Sequence, residues 1–531
     1  MPELASCRGA NISYHFRSLK GYPYHGYTLI SFRLPRLKKF LIKVPELSCD
    51  PVLNCYHVIM SKVSTMSKEI PCPAGLSYRP FQLEGIRYLL DHPAALLADE
   101  MGLGKTVQVI GMVNADQQCK SILIVCPPHL KYNWLREWQR WTTRNLTVAM
   151  VDPKEDIPTA DVIILSEAIL ARPQIKKALR LRNWDAIVVD ESHHFKNPTT
   201  QRTLHLYGGR GVKALDAPRR IALSGTPILN RPIEIQTTLA WLDRPEWYDR
   251  WKFARAYCDP KRTQFGWDLS GHNMKTLPNL QRRLKGHLML RRLKRDVLPE
   301  LPKKQRQIIE LDTPRSFGIG FDIWKKLLKG TGASTAKDLL EDEQAFRQAL
   351  KLLEGSKDVP FADISRVRRE LADAKLDAVR NFIKDAVDGS DHKIIVWFHH
   401  RTMGEHLAFE FGQQAVLYYG GLSSTKKDVL VQRFNEDPKC RLFLGSLKTA
   451  GTGLTLTASN HVIFAEMFWV PGDIQQAEDR PHRIGQTKNV LIQYLVAANT
   501  LDAHMGRVVV RKLDIVDTAL DKDEELDLLL S

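Results

Sequence analysis

Short runs of apolar, β-branched residues alternate with stretches of helical composition along most of this chain. A first series has predicted strands at residues 94–99, 121–125, 161–165, 186–190 and 220–224, and a second has them at 393–398, 415–418, 442–445, 461–465 and 490–496. Near-continuous apolar strands separated by helices are typical of parallel sheets covered on both faces. The pattern therefore predicts an α/β fold built as two lobes.

Composition divides the 531 residues into five segments. Residues 1–73 carry 10 Lys and Arg against 4 Asp and Glu with several aromatic residues, and we expect a small accessory module there that could recruit a substrate. Residues 74–310 and 392–513 hold the two lobes. Residues 311–391 lack the strand pattern and predict helical protrusions or a helical linker. Residues 514–531 form an acidic tail, expected to be a helix or a frayed end.

The charge balance indicates the kind of partner. The chain has 77 Lys and Arg against 60 Asp and Glu, a formal net charge of +17, which favours nucleic acid first and an acidic membrane second. No run approaches the roughly 18 apolar residues of a membrane span, and the N-terminus has no apolar segment behind a basic start. We therefore expect an intracellular protein without a membrane partner.

Eight cysteines are scattered without metal-ligand spacing. They predict reduced and mostly buried thiols, and Cys126 is interpreted as a small core residue in an apolar strand. No metal site is predicted from cysteine.

The most informative local sequence is the Gly-Leu-Gly-Lys-Thr run at residues 102–106, after the first predicted strand. Such a loop lets backbone N–H groups surround phosphates, with Lys105 reaching the β and γ oxygens and Thr106 holding Mg²⁺. Asp99 stands where the pattern usually has its first glycine. A plain glycine-rich turn is the alternative.

Two adjacent carboxylates, Asp190 and Glu191, follow the strand predicted at 186–190. Open α/β sheets place ligands at this end of their strands. One carboxylate can hold Mg²⁺ while the other polarises a water molecule. A helix N-cap is the competing interpretation.

Two further sequences fit the same site. Residues 224–227, Ser-Gly-Thr-Pro, follow another strand, and their hydroxyls are predicted to contact either the γ-phosphate side or the Asp190–Glu191 pair, unless they form a plain turn. The second lobe contains a charged sequence at 475–486, in which Arg480 and Arg483 could face a triphosphate when the lobes close. A solvated helix face would explain these charges equally well.

Taken in this order, these sequences resemble the Swi/Snf-type ATPases of helicase superfamily two, over residues 76–513. Further similarity lies at 78–82, a Q-motif-like sequence, and at 127–134, 289–302 and 450–457. Within that family the sequences 190–197, 266–268 and 464–472 resemble the HARP-type annealing helicases, which rewind DNA and remodel stalled replication forks. The resemblance implies two RecA-like parallel-sheet lobes and use of ATP with Mg²⁺.

Roles follow from the resemblance where the motif residues stand. Gln82 would read adenine, and Asp190 with Thr106 would hold Mg²⁺. Glu191 would activate water. The phosphate loop would comprise Met101, Gly102, Leu103, Gly104, Lys105 and Thr106, the second lobe would contribute Gln476, Arg480 and Arg483, and DNA would contact Lys131, Ser166, Thr449, Thr452 and Trp469.

Two of these motif positions have an alternative reading. Pro481 stands between the two predicted arginine fingers, and a bend there would favour Arg483 as the stronger finger. Trp469, which resembles a DNA-contacting tryptophan, has core packing as its alternative interpretation.

The sequence thus predicts a monomeric, DNA-dependent ATPase that translocates on double-stranded or branched DNA and anneals strands or remodels forks. It would act in the cytoplasm or nucleoid, in an infected host cell if viral, or in a nucleus if eukaryotic. The alternatives are a strand-separating or RNA-directed helicase, a weakly catalytic DNA-binding scaffold, and a factor that recycles RNA polymerase.

Overall fold

The computed structural model describes most of the chain after residue 68. The described residues are 13–17, 27–34, 37–45, 69–152, 155–225, 232–263, 266–269, 271, 273, 275–313, 318, 320–335, 345, 348–349, 352, 361–450, 454–468 and 471–520. The chain forms two compact units, Met1–Ile70 and Pro71–Ser531. None of the described helices is long and apolar enough to cross a membrane.

The first unit contains an antiparallel meander. Its strands are β1 (Ser13–Arg17), β2 (Tyr27–Leu34) and β3 (Leu37–Pro45). The central strand β2 pairs with both neighbours. The sequence predicted a basic module here but not its strands.

The first lobe of the second unit is built on a seven-stranded sheet whose adjacent strands all run parallel. Its strands are β4 (Ala94–Leu97), β5 (Ile122–Cys126), β6 (Val148–Met150), β7 (Val162–Ser166), β8 (Ala186–Val189), β9 (Arg219–Leu223) and β12 (Met289–Leu290). Their spatial order is β12-β4-β9-β8-β5-β7-β6. Strands β5, β7 and β8 are buried along their whole length, as expected for strands covered on both faces.

Helices surround this sheet. They are α1 (Pro80–Asp91), α2 (Lys105–Ala115), α3 (Lys131–Trp141), α4 (Pro173–Leu181), α5 (Gln201–Tyr207), α6 (Ile233–Leu242), α7 (Arg244–Trp247), α8 (Arg250–Tyr257), α9 (Leu277–His287) and α10 (Lys294–Val297). A two-stranded antiparallel hairpin of β10 (Lys261–Thr263) and β11 (Gly266–Asp268) follows α8.

The second lobe has a six-stranded parallel sheet in the order β13-β18-β17-β14-β16-β15. Its strands are β13 (Lys304–Leu311), β14 (Lys393–Phe398), β15 (Ala415–Tyr418), β16 (Leu442–Ser446), β17 (Ser459–Phe464) and β18 (Val490–Ala497). Its helices are α11 (Phe321–Thr331), α12 (Phe361–Asp388), α13 (Arg401–Phe411), α14 (Ser424–Glu436), α15 (Leu447–Ala450), α16 (Pro471–Glu478) and α17 (Leu501–Leu520).

The fold of two parallel-sheet lobes is as predicted, but the sheet boundary differs from the predicted segment boundary at 310. Strand β13 is an edge strand of the second sheet, paired with β18. The helices α11 and α12 pack into the core of the second lobe instead of protruding from it. Lys375 on α12 fixes this packing, because its buried ammonium donates to Leu495 O at 2.9 Å and to the Asp502 carboxylate at 2.5 Å.

The predicted acidic tail starts inside a helix. Helix α17 continues to Leu520, past the predicted lobe boundary at 513, and residues 521–531 lie outside the described part of the chain.

Candidate nucleotide site between the two lobes

The loops that carry the predicted chemistry meet at one edge of the first sheet. Strands β4, β9 and β8 are adjacent, and they lead into the phosphate loop, the turn at Ser224 and the Asp190–Glu191 pair. Because neighbouring parallel strands end at the same edge, three sequences more than 120 residues apart at the extremes converge there.

Two glycines give the phosphate loop its shape. Gly102 and Gly104 have φ values of +89° and +75°, a region that favours glycine, and Gly104 is the N-cap of α2. Lys105 begins α2 and lies back over the loop, where its ammonium donates to Asp99 O at 2.6 Å. Thr106 follows in the first turn, partly buried. The loop therefore presents the start of a helix, a favourable place for an anion.

Met101, Leu103 and Gln82, also predicted for this site, hold the phosphate loop in place by packing and hydrogen bonding. Leu103 is fully buried in a small core with Phe81 and Leu298, and Met101 is buried against Gly225. Gln82 accepts a hydrogen bond from Arg79 N at 2.9 Å and donates to Leu103 O at 3.5 Å. Gln82 thus joins the start of α1 to the phosphate loop, and adenine reading by its amide remains a prediction.

Asp99 has a role that the sequence did not reveal. It is fully buried, its carboxylate receives both Nε and Nη2 of Arg292, at 3.0 and 2.5 Å, and Gln108 Nε2 donates to it at 3.0 Å. Arg292 follows β12, so this ion pair ties the phosphate loop to the segment leaving the first lobe. The carboxylate at the usual glycine position is a structural anchor.

The Asp190–Glu191 pair is held in a fixed geometry after β8. Trp134 Nε1 donates to Asp190 Oδ2 at 2.8 Å, and Glu191 N donates to Asp190 Oδ1 at 2.9 Å. Both carboxylates are more than nine-tenths buried. Glu191 has φ +47° and ψ +51°, a left-handed conformation that is strained for a residue with a side chain. Glu191 stands at the N-cap position of the 3₁₀ helix Ser192–Phe195, but its side chain makes no capping hydrogen bond and is left for other contacts.

Electrostatics separate the two carboxylates. Burial and the negative charge of Glu191 raise the pKa of Asp190. Burial also acts to raise the pKa of Glu191, but the hydrogen bond and charge of His193 with the charge of Lys105 outweigh it and lower that pKa. Glu191 is therefore the stronger anion of the pair, although both are acceptors that a divalent cation can use.

The turn after β9 reaches this pair through a histidine. His193 Nδ1 lies 3.3 Å from Glu191 Oε2 and 3.3 Å from Ser224 Oγ. The sequence predicted that this turn contacts the γ-phosphate side or the Asp190–Glu191 pair. In the structure Ser224 contacts His193, and His193 in turn contacts Glu191, so the link to the carboxylate pair is indirect. Thr226 lies outside the described residues.

The second lobe brings its predicted arginines to the same place. Arg480 is fully buried and Nη1 donates to Leu454 O at 3.4 Å. Arg483 lies against the phosphate loop, because a Cβ placed on Gly102 would be 2.8 Å from Arg483 Cγ. Burial and the charge of Arg483 lower the pKa of Arg480, whereas the charge of Glu191 raises it. Gln476, also buried, lies on α16 just before them.

The acidic residues of the same sequence are not a solvated helix face. Glu478 is fully buried and receives Nε and Nη2 of Arg306, each at 2.7 Å. Asp479 is paired with Lys294 at 3.1 Å and with Lys304 at 2.7 Å. Lys294 belongs to α10 and its backbone N–H also donates to Glu100 Oε2 at 2.7 Å. A buried ion network therefore joins the phosphate loop to the second lobe.

Pro481 does not bend a helix. Helix α16 ends at Glu478, and Pro481 lies in the turn that follows, where its carbonyl accepts from Arg483 N at 3.1 Å. Proline has no backbone N–H, but position 481 lies beyond the helix and no helical hydrogen bond is lost there. Arg483 was predicted to be the stronger finger only if Pro481 bent a helix. Because Pro481 does not bend one, this reason to prefer Arg483 over Arg480 falls away, and both arginines lie at the candidate site.

The predicted DNA contacts are only partly placed. Lys131 is buried and its ammonium donates to Val151 O at 2.8 Å, so in this conformation it faces the lobe interior and is not presented to a phosphate. Ser166 is buried and caps a short 3₁₀ turn by accepting from Ala168 N at 3.3 Å. Thr449 lies on α15 and is partly buried beside Gly420. Thr452 and Trp469 lie outside the described residues.

Several residues of the site were not anticipated. Trp134, His193 and Arg292 hold predicted residues in place, and Lys294 with Asp479 joins the lobes. Trp134 lies in the family-like sequence 127–134, but its pairing with Asp190, 56 residues away, carries no local signal. The cysteine interpretation fits, since Cys126 is fully buried in β5.

Comparison with known families agrees with this geometry. Residues 56–316 match the SNF2-related domain and residues 374–485 match the helicase conserved C-terminal domain. The chain belongs to the SNF2 family. The two matched ranges contain all three first-lobe loops and both second-lobe arginines of the site.

Curated SNF2 relatives align over most of this chain. The DNA annealing helicase and endonuclease ZRANB3 of Mus musculus is 32% identical over 90% of this chain and 43% of its own length. The SWI/SNF-related matrix-associated actin-dependent regulator of chromatin subfamily A-like protein 1 of Xenopus tropicalis is 31% identical over 88% of this chain and 48% of its own length. The chain thus spans about half the length of these relatives.

A solved structure gives a weaker likeness. The Sulfolobus solfataricus SWI2/SNF2 ATPase core in complex with double-stranded DNA has 24% sequence identity and covers 87% of this chain and 97% of its own, with a TM-score of 0.40. The resemblance to Swi/Snf-type ATPases and their annealing branch is confirmed by the family matches and by the curated relatives, which include a DNA annealing helicase.

Proposed function

We propose that this SNF2-family chain is a DNA-dependent ATPase that translocates on double-stranded or branched DNA and anneals strands or remodels replication forks. The observation that supports it best is the meeting of two half-sites, with Arg483 of the second lobe against Gly102 of the phosphate loop and Arg480 in electrostatic reach of Glu191. A relative named as a DNA annealing helicase supports the choice of substrate and outcome.

The residues present fit a magnesium nucleotide. The loop glycines and the start of α2 suit a phosphate chain, and a methyl group at Gly102 would fill the space beside Arg483. Asp190 and Thr106 would hold Mg²⁺, which when bound neutralises phosphate charge. The cations Lys105, Arg480 and Arg483 around the buried carboxylates complement a polyanion.

Each side chain then has a defined task. Lys105 leaves the carbonyl of Asp99 and binds phosphate oxygens, while Glu191, which stays ionised, orients and polarises the attacking water. Arg480 and Arg483 stabilise charge that develops on the transferred phosphoryl group, with Gln476 nearby. Because these groups come from different lobes, the site is complete only while the lobes are together.

Duplex movement follows from repeated closing and opening. Each cycle shifts the grip of one lobe on the DNA backbone relative to the other, and contacts to phosphates give little sequence preference. We propose that Ser166, Thr449, Thr452 and Trp469 contribute to this grip, and that the first unit helps recruit substrate. As a DNA enzyme that uses ATP, the protein would act inside the cell, in a nucleoid or nucleus, and as a monomer because one chain holds both half-sites.

Hydrolysis by wild type and Glu191→Gln tests the proposal, with no nucleic acid, single-stranded DNA, blunt duplex, fork or RNA added. We expect strong stimulation by duplex or fork and a loss of roughly 100-fold or more in the variant, the scale of removing a catalytic base. Equal stimulation by RNA, or no hydrolysis with any DNA, would contradict it.

A further inference from the structure

The hairpin of β10 and β11 carries an exposed tryptophan, and the surface around it, here called the Trp267 surface, is defined by Trp251, Arg262 and Trp267. Trp267 is 55% exposed. A large aromatic side chain that packs on one neighbour and leaves the rest of its ring in solvent is a candidate contact site. None of these residues takes part in the nucleotide site.

Trp267 is held at a fixed angle. Its ring meets that of Trp251 on α8 edge to face, with centroids 4.9 Å apart and planes at 66°. This contact occupies one part of the indole and leaves the rest in solvent, which is the arrangement of a stacking platform.

A cation shares the face of Trp267. In the antiparallel register Arg262 is directly opposite Trp267, so the two side chains lie on the same side of the hairpin. Lys252, Arg255 and Lys261 are also exposed nearby in sequence, against exposed Asp259 and Asp268. Arg262 thus places a cation beside the indole, and the exposed residues of the neighbouring sequence carry an excess of positive charge.

The base of the hairpin is firmly anchored. After the hairpin the chain returns to α8, where Asn273 N donates to Tyr257 O at 2.9 Å and Thr276 Oγ1 donates to Ala256 O at 2.6 Å. Arg283 Nη1 also donates to the Tyr257 hydroxyl at 2.8 Å. A rigid base keeps the rings from collapsing onto the lobe.

Hydrogen bonds connect this region to the catalytic segment. Thr237 Oγ1 on α6 donates to Lys196 O at 3.1 Å, five residues after Glu191. Arg250, the first residue of α8, donates to Gln236 Oε1 on α6 at 3.0 Å. The hairpin is thus attached through two helices to the segment that follows the predicted general base.

We propose that the Trp267 surface binds the unpaired bases of branched DNA, with Trp267 stacking on a base and Arg262 contacting the adjoining phosphate. The inference rests on the proposed function and deepens it, since it names what separates a fork from a plain duplex. Stacking on an aromatic ring accepts any base and needs unpaired nucleotides, whereas the positive charge suits the backbone beside them.

Binding measured without ATP tests the inference. A fork and a blunt duplex of the same duplex sequence are compared in fluorescence anisotropy, with 2-aminopurine at the first unpaired position as a second readout. Trp267→Ala is expected to weaken fork binding by roughly 5- to 100-fold, the range of losing one stacked base, and to leave duplex binding within about twofold. Trp267→Phe should retain part of the fork preference and part of the 2-aminopurine response.

The matched control is Phe409→Ala, which removes an aromatic side chain 89% exposed on α13 of the other lobe. It should leave both affinities unchanged. An unchanged ratio of fork to duplex affinity in Trp267→Ala would overturn the inference, whether both affinities stay as in wild type or both fall by the same factor. ATP hydrolysis is measured separately, so that a chain without DNA-stimulated hydrolysis would contradict the proposed function while the binding ratio still decides the role of this surface.

Discussion

At the residue scale, Asp99 shows how one side chain can change the meaning of a motif. In the sequence it breaks a glycine pattern, and in the structure it is a buried anion that orders Arg292 and Gln108 behind the phosphate loop. Its carboxylate is fully buried and is occupied by these two partners.

Removal of this carboxylate is expected to affect stability first. Asp99→Ala leaves the guanidinium of Arg292 mostly buried without its principal partner, and we expect a loss of about 3 to 5 kcal/mol in the free energy of unfolding. Chemical denaturation measures it. Glu300→Gln, which breaks the exposed pair with Arg79, is the control and should leave stability unchanged. A wild-type midpoint for Asp99→Ala would show that the anchor contributes little.

His482 gives the protein a predicted sensitivity to acid. Burial and the charges of Lys304 and Lys294 lower its pKa to about 4 from an ordinary 6.5, against the opposing charge of Asp479 and the acceptor Pro302 O. Between pH 6.5 and about 4 the unfolded chain binds a proton at this site that the folded chain does not, so stability falls as pH falls through that window.

Unfolding measured across pH 4 to 7 checks this. His482→Gln should lose on the order of 2 kcal/mol less than wild type over the window. His287→Gln, at an exposed position, should keep the wild-type dependence. Identical curves for wild type and His482→Gln would mean that this histidine is protonated in the folded state as easily as in the unfolded one.

At the scale of elements, the turn after α16 decides how the two arginines are presented. Because Pro481 follows the end of the helix, its missing N–H costs no helical hydrogen bond. We expect Pro481→Ala to leave DNA-stimulated hydrolysis within about twofold of wild type and to lower stability by at most about 1 kcal/mol, through greater freedom of the unfolded chain. Steady-state hydrolysis decides it, and a tenfold loss would show that proline positions a finger.

Ten strands predicted from the sequence are present with ends within two residues, because each is a largely apolar run that is mostly buried. Strand β13 was missed because it lies at a sheet edge and begins with four polar residues, so that Lys304–Leu311 lacks the apolar run of a buried strand. The residues of the nucleotide site were predictable from local motifs. The ion pairs that hold them, such as Arg292 with Asp99, join positions 193 residues apart and leave no local signal.

At the scale of the whole molecule, the lobes also touch through α3 and α14. Tyr132 Oη and Thr425 Oγ1 are 2.8 Å apart, and Arg136 forms an ion pair with Asp428. This contact lies apart in sequence from the network of Lys294 and Asp479. Two separate contacts mean that the closed arrangement is specified by more than the arginine fingers.

Charge reversal tests the importance of the second contact. Arg136→Asp places two carboxylates together and should lower DNA-stimulated hydrolysis by roughly two- to fivefold, the scale of a partly exposed ion pair. Adding Asp428→Arg restores opposite charges and should recover most of the rate. If the double variant is no better than the single one, the pair does not govern closure.

The segment that leaves β12 has a mechanical consequence. Arg292 of this segment donates to Asp99, and Lys294, two residues later, donates to Glu100 and forms an ion pair with Asp479. These contacts leave the segment little freedom to move. A pull that separates the lobes would therefore act on the phosphate loop through these bonds as well as on the contact between α3 and α14. A chain tethered in this way should sense opposing load, and its ATP turnover should slow as the tension on its DNA increases.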